Sequence, residues 1–356
     1  MSVFERDNKT GVFPQGHIDR SGWETVRLGE ILSVEKGTQL GRAEMSKNGA
    51  FPVFNGGITA SGFADDWNAE NAIIISEGGN SCGFVNSVSG RFWRGGHCYK
   101  VDSPLPSGFI FQFLKYHEPR IMALRVGSGL PNIQKSALYR LEVSVPSSTE
   151  EQHRIAEALN AADKRLDSLS ALLQKQESIK ISTLSLLMKP SNDWTSCEFR
   201  EVCVPVQWHR QQIIPKRKKL VSVVTQGDDS EKQAISANRY FSIKEPLILF
   251  GDHTCLVKLL TTDCRIEGDG VKLFAPKDCD PVFLFHSIQM NASTIPIGYA
   301  RHLNALRETP VCMPSLFEQR RIAATLATID ESIARIKAEW EKMSALKAGL
   351  MRYYFG

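Results

Sequence analysis

The sequence predicts a mixed α/β (α+β) chain in which two globular segments are each followed by a long helix. The two helices pair antiparallel as a coiled coil, about a pseudo-twofold internal repeat. Three observations predict this. The segment EEQHRIAEALNAAD (Glu150–Asp163) returns as FEQRRIAATLATID (Phe317–Asp330), 167 residues on. Apolar residues inside and beyond both copies step by fours and threes. Outside them, short β-rich runs are broken by Gly, Asp and Pro, the punctuation of a sheet.

The elements follow in chain order. A polar segment, residues 1–22, precedes the first globular part, 23–145. That part opens on WETVRLGEI (Trp23–Ile31), and WTSCEFREV (Trp194–Val202) opens the second with the same layout. In each, an apolar residue stands five after the tryptophan and a Glu-apolar pair closes the motif. NAIIISEGG, EPLILFGDH and GVKLFAP read as strands, with turns at Gly56-Gly57, Gly78-Gly79 and Gly95-Gly96. The first long helix occupies 146–190, bounded by Pro146 and Pro190, since proline is tolerated at a helix start and blocks continuation. Its seam is Ile155, Leu159, Ala162, Leu166, Leu169 and Leu173. Past Leu173 the polar Gln176 and Lys180 take the seam positions, and Leu172, Ile179 and Leu186 offer a shifted stripe, the mark of a stutter. The second globular part spans 191–313 and the second helix 314–356, with a seam of Ile322, Leu326, Ile329, Ile333, Ile336, Trp340 and Met343. A narrow apolar stripe sustained this long asks for a partner helix. The cheapest partner is its own repeat.

Composition narrows the function. The chain has 356 residues, 42% of them apolar and 23% charged, with a formal net charge of +4. That charge leans only slightly toward an acidic partner. No apolar run approaches the roughly 20 residues of a membrane span. The charged start MSVFERDNKTG does not resemble a secretory leader, so a cytoplasmic protein without a membrane is expected. Eight cysteines form no CxxC pair, and free, mostly buried thiols are the simplest reading. Asp252, His253 and Cys255 come nearest to a metal site and could share a strand face, yet three isolated residues favour a structural or non-metal role, so neither metal nor cofactor is expected. No GxxxxGK[ST] loop, GxGxxG fingerprint or GxSxG elbow occurs, nor an Asn/Asp-Pro-Pro-aromatic motif. Missing chemistry across several classes points to binding and not to catalysis.

Basic residues with aromatic or amide neighbours are the binding candidates. QWHRQQ and KRKK supply His209, Arg210, Lys216, Arg217, Lys218 and Lys219. RFWRGGH supplies Arg91, Arg94 and His97, with Trp93 expected in the core and both arginines on the opposite strand face. Lys135, His253, Arg301 and His302 complete the set. Lys and Arg neutralise phosphates, and Arg, Asn and Gln can make paired hydrogen bonds to base edges.

The duplicated layout, a tryptophan-opened domain and then P-x-x-x-E-Q-x-R-I-A-x-x-L-x-x-x-D, resembles the specificity (S) subunit of type I restriction-modification enzymes. The matching segments are PSSTEEQHRIAEALNAAD and PSLFEQRRIAATLATID; LFGDHT, GDGVKLFAP and GYARHL are similar to pieces of that family's target-recognition domains. The resemblance implies a non-catalytic subunit that binds double-stranded DNA, each recognition domain reading one half of a bipartite site. It implies helices that set the spacer and dock two methyltransferase subunits, with a motor-nuclease subunit in the full complex. Gln152, Arg154, Glu157, Gln319 and Arg321 are then expected to face the partner. The specificity subunit of a type IIB-like methylase-nuclease, or a protein-binding coiled-coil scaffold, are the alternatives.

Overall fold

The computed structural model describes residues 20–46, 48–127, 129–208, 219–227, 235–237, 240–292 and 302–356. The chain divides into two compact units, one of residues up to Ser170 together with Ala338–Gly356, the other Ala171–Lys337. Both long helices contribute to both units.

The first unit opens with β1 (Trp23–Arg27), a one-turn helix α1 (Leu28–Ile31) and β2 (Ser33–Lys36). Then come β3 (Phe51–Phe54), β4 (Gly62–Ala64), β5 (Ala69–Ser76), β6 (Val85–Arg94) and β7 (Cys98–Asp102). Helix α2 (Ser107–Met122), α3 (Lys135–Tyr139) and β8 (Glu142–Pro146) lead into the long helix α4 (Thr149–Leu187). Six strands form one sheet in the order β2-β7-β5-β6-β3-β4, while β1 and β8 pair separately and antiparallel. The Ile73-Ile74-Ile75 run makes β5 the centre, because a strand covered on both faces can be continuously apolar. Phe109, Phe113 and Ile121 of α2 pack on Ile75, Val101, Ile155 and Leu159. Phe355 closes this core, its ring 5.6 Å from that of Phe113 and 5.4 Å from that of Tyr116.

The second unit repeats the plan. It runs β9 (Thr195–Glu198), a 3₁₀ turn at Phe199–Glu201, β10 (Cys203–Val206), β11 (Lys219–Val224), β12 (Ile235–Ala237) and β13 (Leu247–Gly251). Next are β14 (Val257–Leu260), β15 (Cys264–Ile266), β16 (Val271–Pro276), α5 (Pro281–Ala292), α6 (Leu303–Arg307), β17 (Pro310–Met313) and α7 (Leu316–Phe355). Its main sheet has the order β10-β16-β13-β14, which is β2-β7-β5-β6 again, and β9 pairs with β17 as β1 does with β8. A small sheet, β12-β11-β15, is particular to this unit. The two globular segments barely align in sequence, yet their central strands are ordered alike. Five residues beyond each tryptophan, Leu28 and Phe199 are fully buried. The following acid does the same work twice: Glu30 accepts from the Arg27 N–H (3.3 Å) and Glu201 from the Glu198 N–H (2.8 Å), satisfying a donor at the start of a helical turn.

Both long helices start identically. Ser148 and Ser315 accept, through Oγ, the N–H three residues on, and the Ser-x-x-Glu spacing is that of a capping box. Within each unit α4 and α7 run antiparallel. In the first, Asp163 pairs with Lys347 (2.5 Å) and, seven residues on along α4 and seven back along α7, Ser170 accepts from Trp340 Nε1 (3.1 Å). In the second, Lys180 pairs with Asp330 (2.5 Å) and Glu177 with Lys337 (3.5 Å). Asp163 and Asp330 are equivalent in the repeat, and so are Lys180 and Lys347. The same bond is written twice, with the helices exchanging roles.

This corrects the expected stutter. Leu173, Gln176 and Lys180 all stay half-buried, while Leu172, Ile179 and Leu186 are exposed. The stripe does not shift, because Lys180 can bury its methylene stem and still deliver its ammonium to Asp330. Of the other predicted seam residues, Ile155, Leu159, Leu169, Ile322, Leu326, Ile333 and Ile336 are buried, and Leu166 and Ile329 half-buried. Trp340 stays 38% exposed.

Candidate nucleic-acid interface

In each globular segment an acidic residue follows the central strand and organises the adjoining loops. Glu77, after β5, donates its N–H to His97 O (2.7 Å) and accepts at its carbonyl from Ile133 N (2.8 Å). Asp252, after β13, donates to Gly270 O (2.8 Å) and accepts from His302 N (3.0 Å). The side chains then diverge. Glu77 takes Lys36 Nζ at 3.0 Å and His97 Nδ1 at 3.3 Å. Asp252, almost fully buried, accepts from Leu303 N (2.8 Å) and so holds the start of α6. One of its oxygens lies 4.0 Å from Lys272 Nζ.

The predicted DNA-binding residues therefore separate. Arg94 is a correction. Its guanidinium is 7% exposed, donates to Glu35 O (3.0 Å) and pairs with the Glu35 carboxylate (3.3 Å). Strand parity explains it: Phe92 and Arg94 share the inward face of β6, whereas Arg91 and Trp93 share the outward one. The expectation that Trp93 is core is reversed; Phe92 is, and Trp93 donates its indole N–H to Thr38 O (3.0 Å). Arg91 is exposed, stacked over Trp67 at 4.6 Å and 3.7 Å from Glu70. His97 is half-exposed beside Glu77. Lys135 begins α3 with its ammonium 5.3 Å above the Tyr139 ring. His253 is exposed, and His302 is buried as the N-cap of α6. His209, Arg210, Lys216, Arg217, Lys218 and Arg301 lie outside the described residues, as does the side chain of Lys219.

On the helices, Arg154 and Glu157 are exposed, with Arg154 3.8 Å from Glu151; Arg321 grips Glu318 through two nitrogens at 2.7 and 2.6 Å. Gln152 and Gln319 point inward instead. Both are buried and donate to the preceding proline carbonyls, Pro146 (2.8 Å) and Pro314 (2.9 Å). Their amides are committed within the chain, which removes them from a partner-facing surface.

Cysteine chemistry is quiet. All eight thiols are free, and burial pushes Cys98, Cys264 and Cys279 up to about 11 and Cys203 to about 12. Among the described residues no three His, Cys, Asp or Glu side chains are grouped to hold a metal ion. Asp252, His253 and Cys255 form a turn, with Cys255 at φ +56°. No helix of the described residues is long and apolar enough to cross a membrane.

What sequence reasoning missed lies one loop away from RFWRGGH. Neither Gly95 nor Gly96 has a positive φ. Their role is space: a Cβ at Gly95 would overlap the Asn55 amide, and one at Gly96 would sit 2.7 Å from Gln39 Oε1. The Gly-Gly pair does open the expected turn, with Cys98 N–H donating to Gly95 O (3.1 Å), and it also permits this close approach, which the pattern alone does not reveal.

Comparison with known proteins agrees with this architecture. The family model of the type I restriction modification DNA specificity domain matches residues 20–180. A putative type I specificity subunit of Mycoplasma genitalium is 33% identical over 157 residues, 43% of this chain and 41% of that one. One from Mycoplasma pneumoniae is 32% identical over 165 residues, 45% and 44% of the two chains. The chain thus spans less than half the length of these curated relatives. The crystal structure of a type I restriction-modification S subunit from M. genitalium superposes with a TM-score of 0.75 over 94% of this chain and 96% of that one, at 20% identity, a likeness of fold. Over residues 20–180, the chain is similar to the type I restriction modification DNA specificity domain.

Proposed function

We propose that this chain is the non-catalytic DNA-specificity subunit of a type I restriction-modification complex. Residues 23–145 and 191–313 are its two target-recognition domains, each reading one half of a split DNA site. Helices α4 and α7, within 146–190 and 314–356, pair antiparallel along their length, set the spacer and dock two methyltransferase subunits; a motor-nuclease subunit joins the full complex. The observation that carries this reading is the duplication. A twofold-repeated protein offers two equivalent surfaces to two copies of one partner. Here strand order, helix caps and the Asp–Lys pairs are all duplicated. Sequence identity is spent on the helices and withheld from the globular parts, as expected if partners are shared and targets differ. Arg91, His97, Lys135 and His253 supply exposed donors for DNA, and Arg154, Glu157 and Arg321 supply the helix surface for the partner.

The test is the host methylome. Deleting the gene should abolish methylation at one bipartite motif and restoring it should bring the motif back. Purified chain given S-adenosylmethionine, ATP and magnesium should neither methylate nor cleave DNA. A methylome unchanged by deletion, or activity from the chain alone, overturns the proposal.

A further inference from the structure

The first recognition segment contains an open cleft of about 820 Å³ lined by Gln39, Arg42, Met45, Asn55, Ser61 and Phe63, among others. We infer that this cleft is where the segment reads base edges, with Gln39, Arg42 and Asn55 as its specificity-determining residues. The inference rests on the DNA-binding reading above and deepens it.

The argument begins with unspent hydrogen-bonding capacity. A buried polar atom without a partner costs free energy, so each one calls for an explanation, and a ligand is one. Asn55 Oδ1 is buried and unbonded. Gln39 makes only a long bond of 3.4 Å from Nε2 to Leu40 O. Arg42 is exposed on a one-turn 3₁₀ helix, and its guanidinium makes no ion pair among the described residues, unlike those of Arg91 and Arg94, already held by Glu70 and Glu35. Two amides and a free guanidinium are the groups that make paired hydrogen bonds to adenine and guanine edges.

The surroundings are shaped to present them. Gly95 and Gly96 leave room where any Cβ would displace the two amides. Phe63 is 42% exposed at the cleft wall, beside Met45, offering apolar contact to a thymine methyl group. Asn55 is followed by Gly56, whose positive φ (+89°) brings the backbone against His97. His97 and Lys36 share Glu77 at that same sheet end, donors suited to flanking phosphates. One amide oxygen without a partner, a second amide held by a single long bond, an apolar wall and cationic neighbours converge in one place.

The test is selection of random duplex DNA by the full chain assembled with its methyltransferase subunits, comparing wild type with Gln39→Ala, Asn55→Ala and Arg42→Ala. Gly96→Ala is added because it dislodges Gln39 without removing it. The expected result is a wild-type split consensus of which one half-site alone loses preference in the variants. The loss should be roughly tenfold or more at one or two positions. The other half-site and the spacer serve as the internal control and should not move. A wild-type consensus that all four variants preserve overturns this inference and leaves the DNA-binding reading standing. A wild type that selects no split consensus overturns both.

Discussion

Single residues show how a duplicated sequence is used unequally. Gln152 and Gln319 are equivalents that bond equivalent proline carbonyls, yet Gln319 Oε1 also accepts from Asp280 N (2.9 Å) while Gln152 Oε1 is buried without a partner. The reason is the residue that caps the neighbouring helix. Asp280 precedes α5 and has an N–H, whereas Pro106 precedes α2 and has none. Chemical denaturation should therefore show Gln319→Ala costing more than Gln152→Ala, by about 1 kcal/mol, the worth of one hydrogen bond. Arg94→Ala should cost about 2 kcal/mol by removing a buried side chain and its bond to the Glu35 carbonyl, and Arg91→Ala less than about 0.5 kcal/mol. His117 makes a pH prediction. Burial against Phe113 and Tyr116, with Arg120 adding a smaller push, lowers its imidazole to about 4, below the ordinary 6.5. The folded chain then prefers neutral His117, while the unfolded chain takes up a proton below pH 6.5. Stability falls as pH drops from 6.5 toward 4 and this contribution levels off below that. Replacing it by His117→Leu should flatten that part of a stability profile measured by urea denaturation at stepped pH.

At the scale of elements, the long helices were the most legible part of the sequence and the sheets the least. Heptad spacing and bounding prolines located α4 and α7 because a period sustained over 40 residues has few other physical causes. The polar Gln176 and Lys180 misled, since periodicity counts apolar residues and cannot see an ion pair waiting on the opposite helix. Replacing Lys180 by Ala should cost no more than about 1 kcal/mol, the usual limit for a partly exposed pair. Leu172→Glu, Ile179→Glu and Leu186→Glu should each shift the stability of the isolated chain by less than about 0.5 kcal/mol, because these side chains already face water. A larger loss at Ile179 than at Ile333 in thermal unfolding would mean that the stripe does shift. The shared strand order was invisible beforehand, because a pleated sheet constrains burial and not identity: Ile73-Ile74-Ile75 and Leu247-Ile248-Leu249-Phe250 serve one position with different residues. The binding candidates fared likewise. Charge flagged Arg94, which parity turned inward, and passed over the neutral amides Gln39 and Asn55, whose importance lies in what they fail to bond.

For the whole molecule, the proposed spacer makes a mechanical prediction. Inserting four residues in each long helix, with phase adjusted, adds about 6 Å, on the order of two base pairs. Methylome sequencing should show a longer spacer between unchanged half-sites, and exchange of residues 194–313 for those of a relative should alter one half-site only. The division into units has another consequence, for the order in which the protein becomes folded on the ribosome. The first core needs Leu350, Met351, Tyr354 and Phe355, which pack against Phe109 and Phe113. Residues 23–170, though translated first, must wait with an apolar face uncovered until α7 has been synthesised. The second unit draws only on residues 171–337 and can close before them. Synthesis order and folding order are thus inverted: the earlier half of the chain is the later one to close, and a chain cut short in α7 beyond Lys337 carries its damage in its first domain.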